Sequence, residues 1–267
     1  MSSLKIQISK QRKMMRTRVV RVTRLTPHFV NVTLASEDIA DFDYLGLDQC
    51  VRLFFPRPGQ QSLRMPTASG NGWIAQFYLL PSSVRPHVRN YTIRAHRPEL
   101  GEVDIEFVAH GDDSPASYWA THAQPGDEAG LFPEGIQYLP PTDTNSQLIV
   151  GDESAVPAIL SILEQSPPEL RAKVLLEVPT TEDIRQTPHL HDVEVHWLPR
   201  DGREGAPGEL ALETLRRAKP PAADAYSFIV GESALATGAR RHLVSQGVPK
   251  SNITFIGYWK VGRASLG

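Results

Sequence analysis

Residues 147–165 read QLIVGDESAVPAILSILEQ. Gln147–Gly151 is a short continuous apolar run, the pattern of a strand buried on both faces. From Ser154 the apolar positions switch to helical spacing, with Ala155, Ile159, Ile162 and Leu163 on one side. A buried strand feeding directly into a helix is the unit of a parallel sheet, and the pattern recurs downstream. Residues 173–179 (KVLLEVP) and 194–200 (EVHWLPR) read as strands, 208–219 (GELALETLRRAK) as a helix, 226–233 (YSFIVGES) as a strand, 234–247 (ALATGARRHLVSQG) as a helix stopped at Gly247, and 253–259 (ITFIGYW) as a last strand. The alternation predicts an α/β domain with a parallel sheet covered on both faces.

Upstream the character differs. Residues 16–25 (RTRVVRVTRL) and 29–36 (FVNVTLAS) alternate apolar and polar positions, as half-buried strands do. Residues 50–56, 73–81 (WIAQFYLLP), 90–96 and 102–110 read as further short strands separated by Pro/Gly clusters. Such a series predicts a small antiparallel β-barrel or sandwich. The Pro/Asp/Asn/Ser-rich stretch 138–147 reads as a linker, which divides the chain into 1–141 and 146–267.

Bulk properties exclude several classes. Cys50 is the only cysteine, so neither an internal disulfide nor a Cys-based metal centre can form, and a reducing, cytoplasmic setting is expected. No run approaches the roughly 18 apolar residues of a spanning helix, so no membrane partner is expected. Residues 1–24 carry eight Lys/Arg and no acid, yet the net charge is −2 and no aromatics are interleaved; no nucleic-acid partner is expected. No apolar surface stripe is left over to suggest anything but a monomer. His189 and His191 stand two apart in a loop stretch, and no metal site is assigned to them.

Two strand ends carry matching signatures. Gly151-Asp152-Glu153-Ser154 follows the first strand of the α/β half, and Gly231-Glu232-Ser233 follows a later one. A Gly after a strand permits a tight turn and close approach of a ligand, and a Ser can cap the next helix, whose N-terminus favours phosphate. Repetition at two strands of one sheet suggests a nucleotide lying across both; ordinary strand-to-helix turns read the same way.

In the barrel half, residues 89–94 (RNYTIR) put two arginines, a tyrosine and a threonine into six positions. On a strand, Arg89, Tyr91 and Ile93 face one way and Asn90, Thr92 and Arg94 the other. A planar ligand bearing a diphosphate would use this set: an aromatic face, a hydroxyl and a guanidinium fork. An edge strand with solvated arginines is the alternative.

The set Arg89-x-Tyr91-Thr92-x-Arg94, followed by DIEFVAHG (104–111), PASYWA (115–120), PGD (125–127), GDESAVPAI (151–159), HWLPR (196–200), IVGES (229–233) and GYWKVGRA (257–264), resembles the siderophore-interacting protein family over roughly residues 15–264. These are ferric-siderophore reductases related to ferredoxin–NADP reductases. The resemblance implies that Arg89, Tyr91 and Thr92 hold the FAD isoalloxazine and a nearby phosphate, with Arg94 at the second basic position. His110 and Gly111 would lie near the adenosine side. Ala116, Ser117 and Trp119, on a helix opened by Pro115, would offer amides to the pyrophosphate. Gly151, Asp152, Glu153, Ser154, Gly231 and Glu232 would line the NADPH or NADH site. Arg200 would be a reader of a 2′-phosphate or a plain loop charge. Arg52, Lys260 and Arg263 would form a cationic mouth for an anionic ferric siderophore. No protein group is implied as catalytic or as a metal ligand, since the flavin carries the chemistry. The chain departs from the family at Ser114, where relatives have Gly, and at Phe132, where a Gly is common; the latter is expected to reshape the adenine pocket. A ferredoxin-like donor in place of the nucleotide, a flavin reductase serving another acceptor, and a siderophore-binding flavoprotein with little turnover are the rival readings.

Overall fold

The computed structural model describes residues 6–60, 62–68, 70–111, 114–142, 144–222 and 224–263. The chain divides into two compact units between Ile136 and Gln137.

The N-terminal unit comprises β1 (Gln7–Ile8), β2 (Met15–Thr26), β3 (Phe29–Ala35), β4 (Cys50–Phe55), α1 (Gly72–Leu79), β5 (His87–Thr92), β6 (Ala95–Arg97), β7 (Glu102–Val108), α2 (Pro115–His122), β8 (Glu128–Pro133) and β9 (Gly135–Ile136). Seven strands form one antiparallel sheet in the order β5-β4-β8-β2-β3-β7-β6. Its two edge strands, β5 and β6, are separated only by Ile93 and Arg94, whose amides bond to Gln49 and Asp104 at 2.9 Å each. The sheet must therefore curl until its edges meet, the barrel predicted from the strand series. Inward residues of the strands, among them Val32, Leu34, Leu53, Phe55, Ile105, Phe107 and Leu131, fill the interior.

Four of the eight basic residues of the N-terminal stretch lie on β2. Met15, Thr17 and Val19 point inward while Arg16 and Arg18 point out, and the surrounding cations meet acids of the same unit: Lys13 with Asp38 at 2.8 Å, Arg18 with Glu128 at 3.6 Å, Arg21 with Glu102 at 3.5 Å. Two stretches differ from the sequence reading, and the first is 90–96, expected as one strand but broken at Ile93 and Arg94 between β5 and β6. Residues 73–81, expected as a strand, form α1. Trp73 and Phe77, four apart, both land on Phe54, with centroids 5.4 and 6.4 Å away, and Trp73 also meets Phe132 at 5.7 Å. Helical spacing brings both rings onto this second apolar layer outside the sheet; strand spacing would separate them.

The C-terminal unit holds β10 (Gln147–Gly151), α3 (Val156–Glu164), β11 (Ala172–Val178), β12 (Val193–Pro199), α4 (Glu209–Arg217), β13 (Tyr226–Glu232), α5 (Ser233–Ser245) and β14 (Ile253–Trp259). The five strands are parallel in the order β12-β11-β10-β13-β14. The order reverses between β10 and β13, the switch point at which open α/β sheets hold their ligands. The boundary at 136/137 lies ahead of the expected linker because Tyr138 is committed to this unit: its ring packs on Tyr226 and Phe228, 5.9 and 5.3 Å away, and its hydroxyl donates to Gln147 at 2.6 Å.

Candidate functional site

In the barrel, β5 pairs with β4 in the register Val51↔Tyr91, Leu53↔Arg89 and Phe55↔His87. Arg89 and Tyr91 thus share the inward face with core residues, as the period of two requires. A continuous row of rings runs beside them: Tyr91 to Phe107 at 4.4 Å, Phe107 to Trp119 at 5.7 Å, Trp119 to Phe55 at 5.4 Å, and Phe55 to His87 at 5.2 Å. The row joins β4, β5, β7 and α2. Burial pushes the Tyr91 phenol up, against the attraction of Arg89.

Arg89 is half-buried and makes no ion pair among the described residues; its guanidinium donates to the Val88 carbonyl at 2.7 Å. Burial and, less strongly, the neighbouring Arg57 push its pKa down. Burial, Arg57 and Arg89 together push His87 down to about 4. Arg57, His87 and Arg89 are therefore a basic group lacking a counter-ion among the described residues. A desolvated cation without a partner is costly, and an anionic ligand offsets that cost. Arg57 and His87 were missed in the sequence; His87-x-Arg89 at strand spacing was the available signal.

Helix α2 begins at Pro115, with Ser114 in extended backbone (φ −93°, ψ 120°) and no side-chain cap. Ser in place of Gly is accommodated at that φ without strain, and the first amides, Ala116 and Ser117, have no intrahelical acceptor. The Ser117 hydroxyl accepts from the His110 amide at 3.1 Å, tying the end of β7 to the helix; Gly111 follows with φ 89°. The buried Trp119 indole N–H has no partner among the described residues. Thr92 lies half-buried opposite Cys50, whose thiol burial pushes up to about 12, so Cys50 is unreactive.

Three of the expected residues have acidic or apolar neighbours in this unit. Arg94 does not join Arg89; it pairs with Glu106 at 3.1 Å, on the opposite face. Arg52 is not a free cation; it donates to Glu134 at 2.6 Å and lies over the Trp73 ring. Phe132 is fully buried with Phe54, Met65 and Trp73, so it fills the outer apolar layer.

At the carboxyl ends of the parallel strands, acids dominate. Asp152 is fully buried and accepts from the Ser154 amide at 2.9 Å, the Ser154 hydroxyl at 2.6 Å, the Glu232 amide at 2.6 Å and the Trp259 indole at 3.2 Å. It thereby ties the ends of β10, β13 and β14. Gly231 (φ 132°) is required beside it, because a Cβ there would stand 2.7 Å from the carboxylate. Glu232 caps α5 by accepting from Ala234 and also accepts from the Val261 amide. The caps at both signatures are thus carboxylates, not the serines expected; Ser233 donates instead to the Trp259 carbonyl at 2.7 Å.

Arg200, just past β12, donates to Glu153 at 2.7 and 3.0 Å and to Glu177 at 2.8 Å. Glu177, at the end of β11, is fully buried and also accepts from Gly208 and Ala211 at the start of α4. Sequence reading missed Glu177, which looks like one polar residue in an apolar strand. Beyond β14, Lys260 and Arg263 face each other in a one-bridge turn and are both exposed without ion pairs among the described residues. The described residues hold no group of three or more His, Cys, Asp or Glu able to bind a metal, and no helix long and apolar enough to cross a membrane.

Burial, with Glu153 next, pushes the Asp152 carboxyl up to about 7, against the bonds from Ser154 and Glu232. A folded-state pKa above the unfolded value adds stability at low pH that disappears as pH rises through the folded pKa. Asp152 is therefore expected to lower stability between pH about 4 and about 7, opposite to a salt-bridged carboxylate. Urea titrations across that range should show a flatter pH profile for Asp152→Asn.

Two family models match the chain: the siderophore-interacting FAD-binding domain over residues 18–136 and the siderophore-interacting protein domain over 144–262. The ferric vibriobactin reductase ViuB of Vibrio cholerae is 32% identical over 248 residues, covering 91% of this chain and 88% of that protein. The chain belongs to the siderophore-interacting protein family. An NADPH-dependent ferric-chelate reductase of Escherichia coli is 29% identical over 90% of this chain and 91% of its own length. Among solved structures, a siderophore utilization protein from T. fusca superposes with a TM-score of 0.83 at 28% identity, covering 98% of both chains. Membership accounts for the order of the two units, a FAD-binding barrel followed by an α/β domain.

Proposed function

We propose that this chain is a monomeric, cytoplasmic flavoprotein that reduces Fe(III) held in a siderophore, using electrons from a nicotinamide nucleotide. The observation that carries the reading is Arg89: a half-buried guanidinium without a carboxylate among the described residues, two residues from Tyr91 and beside a row of aromatic rings. That set fits a flavin with its diphosphate, and the first amides of α2, which have no intrahelical acceptor, fit it too. When bound, FAD supplies the redox chemistry, accepting a hydride from the nicotinamide and passing single electrons to the ferric chelate.

The chain's own residues bind and orient. Arg89, with Arg57 and His87, neutralises the diphosphate; Tyr91 offers a ring face; Thr92 offers a hydroxyl at the end of β5. The turns after β10 and β13 hold the nucleotide. Lys260 and Arg263 supply positive charge toward an anionic chelate. Ferric vibriobactin and ferric chelates are the named substrates of the relatives, and the substrate class proposed here is the same. Fe(II) binds hard oxygen ligands more weakly than Fe(III), so release follows reduction and no metal site is required of the protein.

The experiment is an anaerobic titration of the FAD-loaded protein with NADH and NADPH. Bleaching of the flavin bands by either nucleotide supports the reading. Bands that only dithionite bleaches would assign the donor role to a ferredoxin-like protein. A protein that cannot be loaded with FAD would overturn the flavin site.

A further inference from the structure

The carboxyl edge of the parallel sheet is charged in a way that bears on the donor. Its described side chains include four buried or nearly buried carboxylates, Asp152, Glu153, Glu177 and Glu232. The starts of α4 and α5 are each served by one of them, and a third serves the turn ahead of α3. Asp152 accepts from Ser154 ahead of α3, Glu177 from Gly208 and Ala211 at α4, and Glu232 from Ala234 at α5. A helix start attracts phosphate through its unsatisfied amides and positive dipole end; here carboxylates have taken up that attraction at α4 and α5, while α3 has no side-chain cap.

One guanidinium stands among these acids. Arg200 is bidentate to Glu153 and bonded to Glu177 as well, and its side chain is only 15% exposed. Its charge is more than matched by the two carboxylates. The next cation of the same loop, Arg203, is drawn 2.7 Å onto Glu213 of α4. In nucleotide-binding sheets of this strand order, an arginine near the end of the second or third strand accommodates a 2′-phosphate, and an acid there suits a free 2′-hydroxyl. A 2′-phosphate would approach an Arg200 that cannot leave Glu153 and Glu177 without stranding them as buried, uncompensated charges. A ribose hydroxyl asks for no such exchange.

We infer that the donor of this chain is NADH in preference to NADPH, and that Glu153 enforces the choice by holding Arg200. The inference rests on the proposed nucleotide site. Glu153 is a specificity-determining residue, acting through Arg200. Glu153→Gln keeps a hydrogen-bond acceptor but removes one of the two charges that neutralise the guanidinium, leaving Arg200 positive enough to meet a phosphate.

The test pairs binding with turnover. FAD-loaded protein is titrated by calorimetry with 5′-ADP and with 2′,5′-ADP, and kcat/KM for flavin reduction is measured with NADH and NADPH. The wild type is expected to favour 5′-ADP and NADH by about tenfold or more, the scale of a single charge–charge interaction. Glu153→Gln is expected to move both ratios toward the phosphorylated ligand by about tenfold. A wild type that prefers NADPH and 2′,5′-ADP, or a Glu153→Gln protein whose ratios do not move, overturns this inference and leaves the nucleotide site standing. Failure of all four ligands to bind removes the nucleotide site and the inference together.

Discussion

Replacing Glu177 by alanine is expected to destabilise the C-terminal unit by about 3–5 kcal/mol, the cost of breaking a buried ion pair from one side. Glu177 is fully buried on β11 and accepts from three donors: Arg200 at 2.8 Å, the Gly208 amide at 2.8 Å and the Ala211 amide at 2.9 Å. Truncation strands a guanidinium that Glu153 alone must then hold, and opens two amides at the start of α4. Glu177→Gln retains an acceptor and should cost less than the alanine change. Urea denaturation measures both. A loss below about 1 kcal/mol for Glu177→Ala, the range of an exposed pair, would mean that water replaces the carboxylate and that this edge is not the dry, acid-rich element described above.

Arg89→Ala is expected to weaken FAD binding by roughly 10- to 100-fold, the loss of one charge-assisted hydrogen bond. Its effect on the flavin-free protein should run the other way. Arg89 is desolvated, without a carboxylate among the described residues and close to Arg57, so its removal should leave the melting temperature of the flavin-free protein unchanged or raised. Weaker FAD binding without loss of stability distinguishes a ligand-binding cation from a structural one. His87 adds a pH signature. Its pKa is depressed to about 4, so it is neutral near pH 7 before FAD binds. A diphosphate placed beside it favours the charged form, so FAD affinity should rise as pH falls from about 7 toward 5, with proton uptake on binding. In the flavin-free protein the sign is reversed: a histidine whose folded pKa is lowered costs stability as pH falls below its unfolded value.

Much of this was legible in the sequence. The β10–α3 unit declared itself because a strand buried on both faces is apolar throughout, and its change to helical spacing is abrupt. The inward face of Arg89 and Tyr91 followed from strand geometry alone, whereas the break at Ile93 and Arg94 did not. What was misread depended on partners distant in sequence. Residues 73–81 contain the aromatic and branched residues that strands favour, and the layer around Phe54 and Phe132, distant in sequence, favours helical spacing of Trp73 and Phe77. Arg200 read as an available cation because Glu153 and Glu177 lie 47 and 23 residues away. Arg52 and Arg94 misled for the same reason, through Glu134 and Glu106. Ser154 and Ser233 looked like caps, yet Asp152 and Glu232, one or two residues earlier, accept from the amides of Ser154 and Ala234 instead. Charged residues announce their type in a sequence but not their counter-ions.

The most direct measurement bypasses the donor. FAD-loaded protein is reduced by light under argon, then mixed in a stopped-flow instrument with a ferric hydroxamate siderophore and a ferrous chelator. A ferric-siderophore reductase predicts return of the oxidised flavin bands together with trapped Fe(II), two equivalents per flavin, and a slower return when Lys260 and Arg263 are both replaced by alanine. Reduced flavin that persists in the presence of the ferric siderophore, with no Fe(II) trapped, would contradict the assignment.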